Sequence, residues 1–214
     1  MAKRDKAISI HQLLSYKPVT LQFEQPWLGL IGNPELTGSW IIWGNSGNGK
    51  TRFALQLAKY LSKFARVAYN SMEEGLSQSL RLACHESGLA EAGRRLILLD
   101  KEPIEDLTNR LSKPKSPQVI IIDSLQYSGL DYRGYKQLRD RFRNKLFIFI
   151  SHADGKEPAG RTGKSIRFDA NVKIWIDGYM AYATSRYGGG QPYTIWKDGA
   201  EKIHGIDIQK ILKI

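Results

Sequence analysis

The chain has 214 residues, 42% of them aliphatic, aromatic or cysteine, which suits one α/β domain with a sizeable core. Its 32 Lys+Arg against 21 Asp+Glu leave a net charge of +11, which fits a polyanionic partner such as nucleic acid, or simply a basic surface. The single cysteine, Cys84, excludes an intrachain disulfide and a cysteine-rich zinc site and suits a reducing cytoplasm, while no apolar run is long enough to span a bilayer.

Residues 1–7 carry Lys3, Arg4 and Lys6 with no signal-peptide apolar stretch behind them, and are expected to fray. Residues 8–38 hold Leu13, Leu14, Phe23, Trp27, Leu28 and Leu30, broken by Pro18, Pro26 and Pro34. That is too apolar for a free linker. We read 1–38 as an N-terminal arm packed on the core, with docking on a neighbouring subunit as the alternative. The main domain then covers 39–214.

Ser39-Trp40-Ile41-Ile42-Trp43 reads as a buried strand. It leads into Gly44-Asn45-Ser46-Gly47-Asn48-Gly49-Lys50-Thr51, which fits the phosphate-loop pattern G-x-x-x-x-G-K-[ST] at every fixed position. The glycines lack Cβ, so the backbone can turn tightly and aim N–H groups at phosphates. Lys50 supplies a cation for the β- and γ-phosphates of ATP, and the Thr51 hydroxyl can ligate Mg²⁺. Phe53, Leu57, Leu61 and Phe64 follow at helical spacing, so a helix over Thr51 to Phe64 would point its positive end at the phosphates. A second run, Gly160-Arg161-Thr162-Gly163-Lys164-Ser165, fails the pattern because Pro158 stands where the first glycine belongs.

Four more apolar runs alternate with helical segments: 66–70, 95–99, 118–123 and 145–150. Such runs suit parallel strands covered on both faces. Glu73 follows the second strand, where a carboxylate can polarise an attacking water, and we prefer it to Glu74, which also suits a helix start. Leu76, Leu80, Ala83 and Cys84 share a helical face, so Cys84 reads as core. Val119-Ile120-Ile121-Ile122-Asp123 has the form of a Walker B strand, with Asp123 presented at the ligand end of the sheet as a second Mg²⁺ holder. Beyond it, Tyr135, Leu138 and Phe142 make an apolar stripe, while Arg133 and Lys136 lie on another face, either solvated or against nucleic acid. Tyr127 and Tyr132 can stack on bases or fill the core.

His152 ends the fifth strand as a candidate sensor of the γ-phosphate or a plain loop histidine. Residues 153–168 read as a flexible basic loop whose Lys156, Arg161, Lys164 and Arg167 would touch a DNA backbone. The runs 171–176, 179–187 and 192–196 are closely spaced and read as antiparallel strands extending the sheet. Arg186 precedes a glycine turn. It is either a simple hairpin arginine or an arginine finger reaching a neighbour's γ-phosphate.

Together these motifs resemble the RecA/RadA/DnaB-type superfamily of P-loop ATPases, with the closest likeness to the RadA-like ATPase core in stand-alone or mobile-element form. The resemblance covers about residues 39–200. It rests on Gly44–Thr51, on Val67 to Glu74, on Ile120–Ser124, on Ile150-Ser151-His152 and on Arg186-Tyr187-Gly188. It implies a parallel sheet covered by helices on both faces, with the 145–150 strand between the phosphate-loop and Walker B strands. It implies a ring or filament with ATP at subunit interfaces, and single-stranded DNA held by loops at roughly 125–135 and 152–168. The activity implied is a DNA-dependent ATPase in recombination, repair or replication, with Lys50, Glu73, Asp123, His152 and Arg186 as catalytic residues. The alternative is an ATP-gated loader or regulator of a helicase or recombinase with slow turnover. Thr184 stands where the family has a lysine that acts in trans, which favours that alternative. No counterpart of the RadA zinc finger or protease-like domain is visible, so the expectation is a motor core alone.

Overall fold

The computed structural model describes residues 7–205. Residues 1–6 and 206–214, the start of the expected arm and the end of the expected ATPase domain, lie outside the described residues.

Residues 7–36 hold two short helices, α1 (Ile10–Ser15) and α2 (Trp27–Ile31). Five strands then alternate with helices. They are β1 (Gly38–Gly44), β2 (Val67–Ser71), β3 (Leu96–Asp100), β4 (Val119–Asp123) and β5 (Leu146–Asp154). Between them run α3 (Lys50–Leu61), α4 (Gln78–Glu86), α5 (Ile104–Leu111) and α6 (Tyr132–Arg141). The C-terminal part adds β6 (Glu157–Pro158), α7 (Gly160–Asp169), β7 (Val172–Asp177), β8 (Met180–Ser185), β9 (Tyr193–Thr194) and α8 (Lys197–His204).

The strands form one sheet in the order β3-β2-β4-β5-β1-β7-β8-β9, with β6 paired to β5. Every pair from β3 through β7 is parallel, and β7, β8 and β9 pair antiparallel. The fifth strand lies between the phosphate-loop strand and the Asp123 strand, as the resemblance implies.

Period-two alternation explains the two-sided core. Trp40 and Ile42 of β1 join one apolar cluster with α2 and α3, while Ile41 and Trp43 join a second with α5, α6 and α7. Val119 and Ile121 of β4 face the first cluster, and Ile120 and Ile122 face the second. A strand flanked by two apolar layers has no room for polar alternation, hence the continuous runs in the sequence. No helix among the described residues is long and apolar enough to cross a membrane.

Three expectations need correction or division. First, residues 153–168 are not a flexible loop: they form the end of β5, β6 and most of α7. The helix is hidden in sequence because Gly160 and Gly163 have low helix propensity. Burial overrides this: Ile166 is fully buried, and a Cβ at Gly163 would stand 3.1 Å from Pro158 and 3.2 Å from Ser151. Second, Leu76 precedes α4 and is 57% exposed, so only Leu80 is buried on that face while Ala83 and Cys84 pack partly against the core. Third, the arm divides. Leu21, Phe23, Trp27, Leu30 and Ile31 join the core, with Trp27 stacked on Tyr60 and Tyr193. Ile10 and Leu14 on α1 are 71% and 80% exposed.

Candidate active site

The C-terminal ends of the parallel strands meet at one cleft of about 580 Å³. Strand register sets its floor. Gly44 of β1 lies beside His152 of β5, Asp123 of β4 beside Ile150 of β5, and Ser71 of β2 beside Asp123. Asn45, Ser46, Gly47, Gly49, Lys50, Thr51, Glu73, Asp123 and His152 all line the cleft. Asn48 does not: its amide donates to Asp177 Oδ1 at 3.3 Å, and its carbonyl accepts from the Tyr179 N–H at 3.1 Å. The phosphate loop is thereby fastened to the β7–β8 turn.

The glycines have distinct causes. Gly49 has φ 95°, a left-handed backbone, and a Cβ there would come within 2.7 Å of the Tyr179 ring. A Cβ at Gly44 would strike the carbonyl oxygen of Ile176 on β7, so this position demands close approach of two strands. α3 starts at Lys50 directly from this loop, so Lys50 and Thr51 sit in its first turn. Burial pushes the Lys50 ammonium below its ordinary range, and the charges of Asp123 and Glu73 act against that shift. Its Nζ donates to the Asn45 carbonyl at 2.9 Å. Arg52 also borders the cleft, but it pairs with Glu86 and lies over the Trp196 ring.

Asp123 is held from behind by a residue the sequence reading passed over. Tyr69, fully buried on β2, donates its hydroxyl to Asp123 Oδ2. Burial raises the Asp123 carboxyl to about 6, with the Tyr69 hydrogen bond and Lys50 lowering it and Glu73 and Glu74 raising it. The Asp123–Ser124 peptide is cis.

Glu73 and Glu74 both line the cleft but have different partners. Glu73 Oε2 lies 3.0 Å from His152 Nε2 and accepts from the Ser124 hydroxyl at 3.2 Å. Glu74 Oε2 accepts from Ser77 and Ser79 at the start of α4. Gln126 is a second residue the sequence reading passed over. Its amide nitrogen donates to Ser151 Oγ at 2.9 Å, and its amide oxygen accepts from the His152 N–H at 3.1 Å. It ties the segment after Asp123 to the end of β5. Tyr179 is a third. It lines the cleft at φ 61°, unusual for a bulky side chain, and packs edge-on to Trp196.

Arg186 lies elsewhere. β8 runs antiparallel away from the cleft, so Arg186 follows its far end, with its N–H donating to the Asn171 carbonyl. At about 3.3 Å per residue the strand carries it roughly 20 Å from the Met180 end beside the phosphate loop.

The expected DNA contacts are scattered over α6, the β5–β6 turn and α7. Arg133 and Arg161 are exposed with no ion-pair partner among the described residues. The other four are engaged within the chain. Lys136 lies 5.8 Å over Tyr132 and Lys156 6.0 Å over Trp175. Lys164 pairs with Asp154 at 3.2 Å, and Arg167 pairs with Glu157 at 2.8 Å while lying over Trp43. Tyr132 donates to Asp169 at 2.9 Å, and Tyr127 is 54% exposed beside His152.

No family model and no curated protein sequence matches the chain. Among solved structures, the flagellar accessory protein FlaH from Methanocaldococcus jannaschii is similar over 83% of this chain and 94% of that one, at 16% identity and a TM-score of 0.55. At that identity the likeness carries the fold alone. A parallel sheet ordered β3-β2-β4-β5-β1, a phosphate loop after β1 and antiparallel strands beyond β7 make this a RecA-like α/β fold.

Proposed function

We propose that this chain is a Mg²⁺-dependent ATPase of RecA/RadA type that works as an oligomer, with ATP between subunits, on single-stranded DNA in recombination, repair or replication. The observation that carries the reading is the convergence of Lys50, Thr51, Glu73, Asp123 and His152 on one cleft at the ligand end of the sheet. The loop's N–H groups and Lys50 hold the phosphates. Glu73 stands ready to take a proton from water, with Ser124 and His152 fixing the same carboxylate oxygen.

Thr51 and Asp123 are the residues that would hold Mg²⁺, and they fit it: both are hard oxygen donors on the same cleft. Bound Mg²⁺ would neutralise charge on the phosphate oxygens. Tyr69 aims the Asp123 carboxylate from behind.

Asp123 makes metal binding pH-dependent. Its carboxyl stands at about 6 in the fold against an ordinary 3.8, so the folded chain takes up a proton as pH falls through about 6. In the metal-free protein this group therefore adds stability as pH drops through that window, because the folded state holds the proton more tightly. Mg²⁺ competes with the same proton. The Mg²⁺ concentration that half-saturates binding of a fluorescent ATP analogue is expected to be flat above that pH and to rise up to about tenfold per unit below it. A flat response down to acid pH would remove Asp123 from the metal site.

Two features support assembly. Arg186 lies too far from its own phosphate loop to serve it, and α1 leaves Ile10 and Leu14 uncovered. Turnover per chain is expected to rise with protein concentration and on adding single-stranded DNA. The variants Arg186→Ala and Glu73→Gln, each inactive alone, should regain activity when mixed, since about a quarter of randomly formed interfaces would combine an intact Arg186 with an intact Glu73. No recovery on mixing, with turnover independent of concentration and DNA, would overturn the oligomeric reading.

A further inference from the structure

The opposite edge of the sheet carries a second constellation. Arg66 immediately precedes β2, Arg94 and Arg95 precede β3, and Lys113 and Lys115 lie in the turn before β4. With Arg110 they line a cavity of about 280 Å³ at the N-terminal ends of these three strands, remote from the phosphate loop. No carboxylate lines it. Arg110 is committed to Glu102 through a two-pronged contact at 2.7–3.0 Å. The other five have no ion-pair partner among the described residues.

The groups are also braced. The Arg66 guanidinium donates to the Lys115 carbonyl, and Arg95 Nη1 donates to the Lys63 carbonyl at 3.1 Å. Each bond uses one N–H and leaves the rest of the fork free to meet an anion. Lys115 holds its carbonyl there from a left-handed backbone at φ 61°, a costly conformation for a residue with a side chain. Backbone strain of this kind concentrates at binding sites. Like charges gathered on three loops repel one another, and a bound polyanion relieves that repulsion.

We propose that this edge is a binding groove for the phosphodiester backbone of nucleic acid. Five cations with no ion-pair partner among the described residues, spread over three loops, exceed what a single phosphate needs. The lining contains no aromatic side chain on which a base could stack, so contact is with the backbone and independent of sequence. The inference rests on the nucleic-acid part of the function proposed above, and moves the main contact away from α6, the β5–β6 turn and α7, where four of the six expected cations are already engaged.

The test is fluorescence anisotropy with a labelled oligonucleotide of about 30 nucleotides, single-stranded and duplex, across a salt series. The triple variant R94A/R95A/K113A is expected to bind at least about tenfold more weakly, with a single-strand salt slope lower by about 2. The charge-conserving R94K/R95K/K113R should bind like the wild type, which separates lost charge from lost fold. The double variant R133A/R161A should stay within about threefold of wild type. If wild type binds but the triple variant stays within about twofold, or if the charge-conserving variant is equally impaired, the site assignment fails and the nucleic-acid reading stands. If wild type binds neither probe, both fail. Preference between the two probes identifies which form of the shared backbone the groove accepts.

Discussion

Lys50→Ala is expected to weaken ATP binding by at least about a hundredfold and to abolish turnover, because it removes the charge-assisted contact to the phosphates. The cleft borders two cations, Lys50 and Arg52, but Arg52 is held by Glu86 and the Trp196 face. Lys50 is thus the cation left to meet a triphosphate. It is already partly stripped of water, which depresses its affinity for a proton, so the desolvation cost of phosphate contact is partly met before ligand arrives. Alanine should not disturb the fold, since the Lys50 side chain has a single hydrogen bond, to the Asn45 carbonyl in its own loop. Calorimetric titration with ATP and a melting curve on the same sample separate the two effects. Affinity and turnover within about threefold of wild type would remove the phosphate loop from the function.

Much of this arrangement is written in the chain, for a physical reason. Strands buried on both faces must be apolar throughout, so β1, β4 and β5 announce themselves as Trp40–Trp43, Val119–Ile122 and Leu146–Ile150. The phosphate loop is legible because close approach forbids side chains at fixed spacings. Gly44 against the Ile176 carbonyl and Gly49 against the Tyr179 ring show that constraint directly. What stays hidden depends on partners distant in sequence. Tyr69 reads as one more apolar strand residue until β2 and β4 pair and put its hydroxyl on Asp123, 54 positions away. The α7 helix is invisible to propensity because Gly163 serves close packing against Pro158 and Ser151, while Gly160 opens the helix from a left-handed backbone at φ 74°. The partnering of Lys156, Lys164 and Arg167 depends on Trp175, Asp154 and Glu157, and loop-like composition gave no sign of it. The basic edge at Arg66, Arg94 and Lys113 is dispersed over nearly fifty positions and becomes one patch only when three strand starts align.

Glu73→Gln is expected to cut the rate of hydrolysis by at least about a hundredfold while leaving ATP affinity within about threefold. The amide keeps the shape of the carboxylate and can still accept from the Ser124 hydroxyl, but it cannot take a proton from water. The neighbouring change Glu74→Gln is the informative control. Glu74 accepts from Ser77 and Ser79 at the start of α4, bonds that a glutamine amide oxygen can still accept, so this change should leave both stability and rate close to wild type. Single-turnover hydrolysis and denaturant melts on both variants tell the two carboxylates apart. Glu73 also shares its Oε2 atom with His152, whose backbone N–H is clamped by Gln126 at the foot of the β5–β6 hairpin. A rate that falls as far in Glu74→Gln as in Glu73→Gln would show that the base has been placed on the wrong carboxylate.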